Sequence, residues 1–261
     1  MTVREIELTG QEFEILWAAY GRDRLPYPLS YRTDIADFEE LKREREAAVQ
    51  NLLGKYAEDI EHALTVLLEP DARVESKGFG GQDMSRTYRF HGAIRGQVGA
   101  TLTQKSGIAP DTGGELALTY CAATKVAQQA VTVLPHAGPG SRQPLELRRT
   151  DIGADRERFV HPSHKPTLTD QLARILDRPR RALGEITVFP GPALDARPTP
   201  GRSFWWMDYD DGRYYVKTGD PIIAKPIDRP RLAAEIHRLL MLTQRYYRED
   251  RDHDAYLRSR R

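Results

Sequence analysis

The stretch "SFWWMDYDDGRYYVKTGDPIIAKPIDRPRLAAEIHRLL", residues 203–240, carries the strongest structural signal in this sequence. Its first part predicts a β-hairpin, because Asp211-Gly212 supplies the positive φ angles that a two-residue turn requires. Side chains alternate between the two faces of a strand. One face is expected to carry Phe204, Trp206 and Asp208, and the other Trp205, Met207 and Tyr209. Burying such large rings is strongly favourable, so one face is predicted to be core. The other is either covered by a helix or free to bind a partner.

The rest of this stretch predicts a last strand and a closing helix. The short apolar run "PIIAK", residues 221–225, is typical of a strand. Asp228 is expected to cap the helix, with Pro230 in its first turn. The apolar side of that helix is formed by Leu232, Ile236, Leu239, Leu240 and Thr243.

The first half of the chain predicts helices, then strands, then another helix. "VREIELT" has strand alternation, Thr9 can cap a helix through about Tyr20, Thr33 begins a longer helix, and Asp59 opens a third. The segments "ARVESKGF", "RTYRFHGAI", "GQVGATLTQ" and "GELALTYC" have the composition of strands, and a helix follows from Ala123.

The second half repeats this order. "TLTDQLARILD" predicts a helix and "LGEITVF" a strand, and the aromatic hairpin, last strand and closing helix follow. We therefore predict a single domain over residues 1–261, built from two related halves at about 1–134 and 143–248. Residues 135–142 are expected to link them, within a Pro- and Gly-rich region in which "PLELRR" predicts a short strand. A charged tail, 249–261, is expected to be disordered or a fraying helix.

Composition restricts the possible functions. The 261 residues include 39 basic and 38 acidic side chains, for a net charge of +1, which gives no large field for nucleic acid. A single cysteine excludes an internal disulfide framework. The sequence contains no 18-residue apolar run that would predict membrane insertion, and the N-terminus has no signal-peptide pattern. A cytoplasmic protein is therefore expected.

Several candidate sites have simpler structural explanations. "HPSH" places His161 and His164 near each other, but no recognised metal-ligand spacing accompanies them. "GFGGQD", residues 78–83, is better explained as a hairpin tip than as a phosphate loop. Cys121 is more typical of a small buried side chain than of a nucleophile. We accordingly predict no catalytic residue, no metal and no cofactor.

Two alternatives remain open at this point. One is a hydrolase-like enzyme that uses Asp208 with His91 or His164 in a cleft between the halves. The other is a nucleic-acid adaptor that uses the arginines within residues 42–45 and the run "RPRR" at 178–181.

Five segments, in order, resemble the EspG family of ESX (type VII) secretion-associated proteins of actinobacteria. They are "FEILWAAYGRDRLPYPL", "RTDIADFEELKREREAAVQNLLGKY", "GEITVF", "WMDYDDGRYYV" and "IIAKPIDRPRLAAEIHRLL", within roughly residues 3–245. The resemblance implies an α+β fold with quasi-two-fold symmetry, a central antiparallel sheet and two helical bundles.

The resemblance also implies a function and a site. It implies a non-catalytic cytosolic chaperone that binds the tip of a helical PE–PPE-type substrate pair and keeps it soluble for export. The partner surface would lie on the sheet, a β-hairpin loop and the C-terminal helices. By position these are Phe79, Gln82, Asp83, Met84 and Arg86 in the hairpin, and His237, Met241 and Arg245 on the last helix. A homodimer is left open.

Overall fold

The computed structural model describes residues 4–109, 111–156, 166–193 and 199–259. Within these ranges it contains seven α-helices and ten β-strands. The helices are α1 (Gly10–Ala19), α2 (Phe38–Lys55), α3 (Glu58–Leu68), α4 (Ala123–Thr132), α5 (Arg149–Arg156), α6 (Leu168–Leu176) and α7 (Arg229–Ser259). The strands are β1 (Arg4–Leu8), β2 (Ala72–Gly80), β3 (Arg86–Arg95), β4 (Val98–Ser106), β5 (Gly113–Ala122), β6 (Leu145–Leu147), β7 (Ala182–Pro190), β8 (Arg202–Tyr209), β9 (Gly212–Lys217) and β10 (Ile222–Pro226).

All ten strands form one sheet in the order β1-β5-β4-β3-β2-β7-β8-β9-β10-β6. Neighbouring strands are antiparallel. The order is symmetric about the β2–β7 pair, because four consecutive strands run outward on each side of it and one short strand closes each edge. The predicted α+β class with a central antiparallel sheet and quasi-two-fold symmetry is confirmed.

The two halves of the sheet meet at the β2–β7 pair, where Trp206 packs against two glycines. Gly78 of β2 is paired with Gly184 of β7, and Gly184 with Trp206 of β8. A Cβ atom on Gly78 would lie 2.4 Å from Cζ2 of Trp206. A Cβ atom on Gly184 would lie 2.6 Å from the Cα atom of Gly78. Close contact at this joint therefore requires glycine at both positions.

One face of the sheet, here called the first face, is covered by α4 and α7. Phe90, Ile186, Phe204 and Trp206 are buried there against these helices. The opposite, second face has two separate cores. In the first half α1 and α3 pack on β1, β3, β4 and β5. In the second half Ile175 of α6 is buried with side chains of β8, β9 and β10. The predicted alternation in β8 is confirmed, since Phe204 and Trp206 belong to the first-face core and Trp205, Met207 and Tyr209 to the second-face core.

Local capping signals specify several helix starts, of which those at Thr9 and Asp228 were predicted. Thr9 accepts a hydrogen bond from the backbone N–H of Glu12, whose side chain accepts one from the N–H of Thr9. Thr167 and Asp170 form the same reciprocal pair before α6. Asp228 accepts a hydrogen bond from the N–H of Arg231 at the start of α7. Each pair satisfies backbone donors that a helix start would otherwise leave unpaired.

Two local predictions are wrong, and the tail, which was expected to be disordered or a fraying helix, is helical. The second helix begins at Phe38 rather than Thr33, because Asp37 accepts the N–H of Glu40 while the Thr33 hydroxyl only closes a turn at Ile35. The β8–β9 loop is Asp210-Asp211, and the positive φ occurs at Gly212 alone. The final helix continues to Ser259 through most of the predicted tail. Helix α5 was not predicted, whereas the short strand at "PLELRR" is present as β6.

Candidate functional site: a half-exposed strip on the sheet

A strip of half-buried side chains crosses the middle of the second face. It consists of Lys77 and Phe79 on β2, Leu183, Glu185 and Thr187 on β7, and Trp205 on β8. Backbone pairing places Phe79 opposite Leu183, and Lys77 opposite Glu185, which in turn is opposite Trp205. Since these residues alternate with buried first-face residues, all six point to the second face. We call this set the central strip.

The position of the helices explains why the central strip is only half-buried. The helix that chiefly contacts β2 and β7 is α7, and it does so from the first face. On the second face, α1 and α3 cover the strands of the first half, and α6 covers those of the second half. The strip lies between these two covers. Of the second-face side chains of β8, Met207 and Tyr209 are buried while Trp205 remains half-exposed.

A buried polar row borders the central strip. Arg73 donates from Nε to Glu75 at 2.8 Å and from Nη1 to the carbonyl of Gly191 at 2.7 Å. The adjacent His91 is 3% exposed, and its Nδ1 lies 2.8 Å from the carbonyl oxygen of Tyr27. Burial lowers the pKa of His91 below its usual 6.5, and this outweighs the opposing effect of Glu75. The neutral imidazole therefore donates from Nδ1 to Tyr27 and holds the "LPYPL" segment beside the strip.

This lowered pKa predicts a pH dependence of stability. Because the folded state binds the His91 proton less readily than the unfolded state, the free energy of unfolding should fall as the pH drops below about 6.5. Urea unfolding at pH 7.5 and at pH 5.5 measures the difference. His91→Gln, which keeps a donor, should reduce that difference, and His62→Gln on the exposed side of α3 should not. Equal pH dependence in wild type and His91→Gln would contradict the prediction.

The predicted hairpin residues lie together at the end of the central strip. Gln82–Met84 form a short 3₁₀ turn between β2 and β3. Asp83 and Met84 both have φ of 55°, a left-handed conformation that is uncommon for residues other than glycine. The Arg86 guanidinium lies 5.4 Å from the ring centroid of Tyr88. Phe79 belongs to the strip itself, whereas Arg86 points to the first face, because Tyr88, two residues later on the same strand, belongs to the first-face core.

The predicted α7 residues lie elsewhere. His237, Met241 and Arg245 follow one another at four-residue intervals on a helix that packs on the first face. His237 is half-buried, and Met241 is 38% exposed. Arg245 donates to Glu249 at 2.7 Å. The structure therefore places Phe79 in the central strip and Gln82, Asp83 and Met84 in the turn at its end, while Arg86 and the α7 group lie toward the first face.

The residues of the enzyme alternative are not brought together. The Asp208 carboxylate is buried and accepts two hydrogen bonds from Arg213, both at 2.7 Å. Asp208 points to the first face, as Trp206 does, whereas His91 points to the second. His161 and His164 lie outside the described residues. In the described ranges no group of three or more His, Cys, Asp or Glu side chains is placed to hold a metal ion. Burial raises the pKa of Cys121 to about 11.

The two arginine runs of the nucleic-acid alternative are separate and locally paired. Arg45 of α2 donates to Glu14 at 2.9 Å. Arg178 pairs with Asp211 at 2.8 Å and lies 4.1 Å from the ring centroid of Tyr209. Arg181 pairs with Asp210. These side chains therefore do not form one basic surface.

Sequence reasoning missed most of the central strip. Lys77, Leu183 and Glu185 were not singled out, although the alternation in "LGEITVF" already separates the buried Ile186 and Val188 from the half-exposed Leu183 and Glu185. What the alternation does not reveal is which face a helix covers. In the described ranges, no helix combines the length and apolar character needed to cross a bilayer.

Comparisons with known proteins agree with this architecture. The chain matches no curated protein significantly. Its fold is similar to that of the Mycobacterium tuberculosis type VII secretion system chaperone EspG5, whose structure was solved in complex with a PE25–PPE41 dimer. The TM-score is 0.57 at 15% identity, over 92% of this chain and 96% of that one. The model of the EspG family matches residues 9–238. Since this match spans most of its length, the chain belongs to the EspG family.

Proposed function

We propose that this protein is a non-catalytic cytoplasmic chaperone. It would bind the helical tip of a PE–PPE-type secreted substrate pair and keep that pair soluble until export. Family membership supports the class of function. The similar chaperone EspG5, solved with a PE25–PPE41 dimer, supports the class of partner. The observation that carries the proposal is the central strip, because it leaves apolar side chains half-exposed between two helical covers on an otherwise buried sheet.

The chemistry of this surface suits a helical partner. Phe79, Leu183 and Trp205 provide apolar and aromatic contact area, and the hairpin tip adds Met84. Charged side chains stand beside them. An apolar centre with a polar rim is the usual composition of a protein–protein interface. The proposed partner surface therefore comprises the central strip and the predicted hairpin residues.

We also propose that the whole chain acts as one domain of two related halves, about 1–134 and 143–248, with a linker at 135–142 and a tail at 249–261. The symmetric strand order supports this division. So does a repeated hydrogen bond. The N–H of Asp71 donates to the carbonyl of Ile94, and the N–H of Arg181 donates to the carbonyl of Asp208 in the equivalent place.

Phe79→Asp and Met84→Asp should each weaken binding of the substrate pair at least about tenfold, because a carboxylate would be desolvated at an apolar contact. The measurement is co-expression with a PE–PPE-type pair, followed by pull-down and calorimetric titration. Phe38→Asp is the matched control, since Phe38 is 74% exposed on α2 and lies away from the strip. If wild type leaves the pair unbound and equally insoluble, the proposed function is wrong.

The α7 residues remain a prediction that the same titration can decide. Met241→Asp and Arg245→Ala would weaken binding if the partner reaches the outer side of α7. Affinities equal to wild type in both variants would restrict the site to the strip and the hairpin.

A further inference from the structure

Two side chains of opposite charge lie in the centre of the strip. Lys77 and Glu185 are directly opposite each other on β2 and β7, and both are half-buried. Among the residues that the structure describes, neither side chain has a hydrogen bond or an ion pair, even with the other. Buried charges nearby behave differently, since Arg73 pairs with Glu75 and Arg213 with Asp208.

Aromatic rings hold the Lys77 ammonium over the strip. Its Nζ lies 5.6 Å from the ring centroid of Phe79 and 6.0 Å from that of Tyr27. Both distances fall within the range of cation–π attraction. Glu185 is close to the same group of residues. The pKa of Tyr27 is raised first by burial and then by the charges of Glu185 and Glu75. The ammonium therefore lies near the exposed ring of Tyr27, and Glu185, opposite Lys77 on the next strand, is close enough for its charge to act on the same ring.

Partly desolvated charges gain most from partners that supply oriented hydrogen bonds. Adjacent positive and negative groups fit a ligand that offers an acceptor and a donor side by side. The tip of a helical hairpin has this property. The first helix ends in free backbone carbonyls with partial negative charge, and the second begins with free N–H groups with partial positive charge.

We propose that Lys77 and Glu185 orient the partner by binding the two helix ends at its tip, one residue to each end. Lys77 binds the carbonyls that end the first helix, and Glu185 binds the N–H groups that begin the second. This inference rests on the proposed function for the identity of the partner. It adds the partner's chemistry and its direction on the sheet.

Lys77→Met and Glu185→Gln should each weaken binding of the PE–PPE-type pair about 5- to 20-fold, with thermal melting unchanged. The exchange Lys77→Glu with Glu185→Lys should bind more weakly than either single variant, because both charges would then face the wrong helix end. If the two residues served only to pair with each other, the exchange would restore wild-type binding. The same exchange at Lys105 and Glu115, an exposed pair on β4 and β5, is the matched control and should bind as wild type does.

Two further outcomes separate this inference from the proposed function. If wild type binds the pair and the single variants bind equally well, or the exchange restores affinity, the inference is overturned and the function stands. A second probe, a designed soluble αα-hairpin with an uncharged tip, covers the other case. If wild type does not bind the PE–PPE-type pair but binds this hairpin, and the variants bind it with the expected order of affinities, only the proposed function fails. Absence of binding to both overturns both.

Discussion

Asp208→Ala should lower the free energy of unfolding by about 3–5 kcal/mol, because it leaves a buried arginine without its counter-ion. Arg213 is 0% exposed and Asp208 5% exposed. The guanidinium donates to both carboxylate oxygens at 2.7 Å and to the carbonyl of Pro135 at 2.7 Å. It also lies 5.1 Å from the ring centroid of Trp206. Loss of the carboxylate would remove two of three strong acceptors from a charge that water cannot reach.

Urea unfolding followed by circular dichroism measures this effect. Asp210→Ala is the matched control, because its pair with Arg181 is largely exposed and its loss should leave stability nearly unchanged. Replacing both partners, with Asp208→Leu and Arg213→Met, should recover much of the loss, since no unpaired charge then remains. Equal stability of Asp208→Ala and wild type would show that the Asp208–Arg213 pair contributes little to the free energy of unfolding.

Trp206→Ala should also cost about 3–5 kcal/mol of unfolding free energy, because it opens a cavity in a fully buried core. Trp206 is 0% exposed. Its indole lies over Gly78 and Gly184 and meets the ring of Tyr88 edge-on at a centroid distance of 6.1 Å. Because the indole is the side chain nearest to both glycines, its loss would loosen the contact between the two halves of the sheet.

The same unfolding experiment tests this prediction, with ellipticity rather than fluorescence as the signal because a tryptophan is removed. Phe38→Ala is the control for loss of an exposed ring and should change stability little. A cost for Trp206→Ala below about 1 kcal/mol would mean that the core refills the space and that the glycine joint does not depend on the indole.

Much of the fold could be predicted from short segments. Thr9 and Asp228 cap the helices that they were expected to cap. The alternation of Phe204 and Trp206 against Trp205 and Met207 correctly divides β8 between two cores. These features depend on hydrogen bonds and side-chain directions within a few residues, so the neighbouring residues in the sequence are enough to predict them.

The errors occur where two local solutions compete. Both Thr33 and Asp37 could cap the second helix, and the carboxylate four residues later does so. The continuation of α7 beyond Thr243 depends on a distant residue. Asp71, far away in sequence, accepts hydrogen bonds from Gln244 and Arg248 and fastens the helix beyond the predicted apolar stripe. A local pattern cannot reveal such a contact.

The amino-acid sequence alone determined the order of helices and strands apart from α5, the two faces of the aromatic hairpin and the resemblance to the family. Only the tertiary structure decided where the surface stays open. Gly78 meets Gly184 and Trp206 across more than 100 residues of chain, and α6 covers one end of the second face while α1 and α3 cover the other. The central strip is what these long-range contacts leave uncovered. Exposure depends on which elements pack together, and no single segment encodes that.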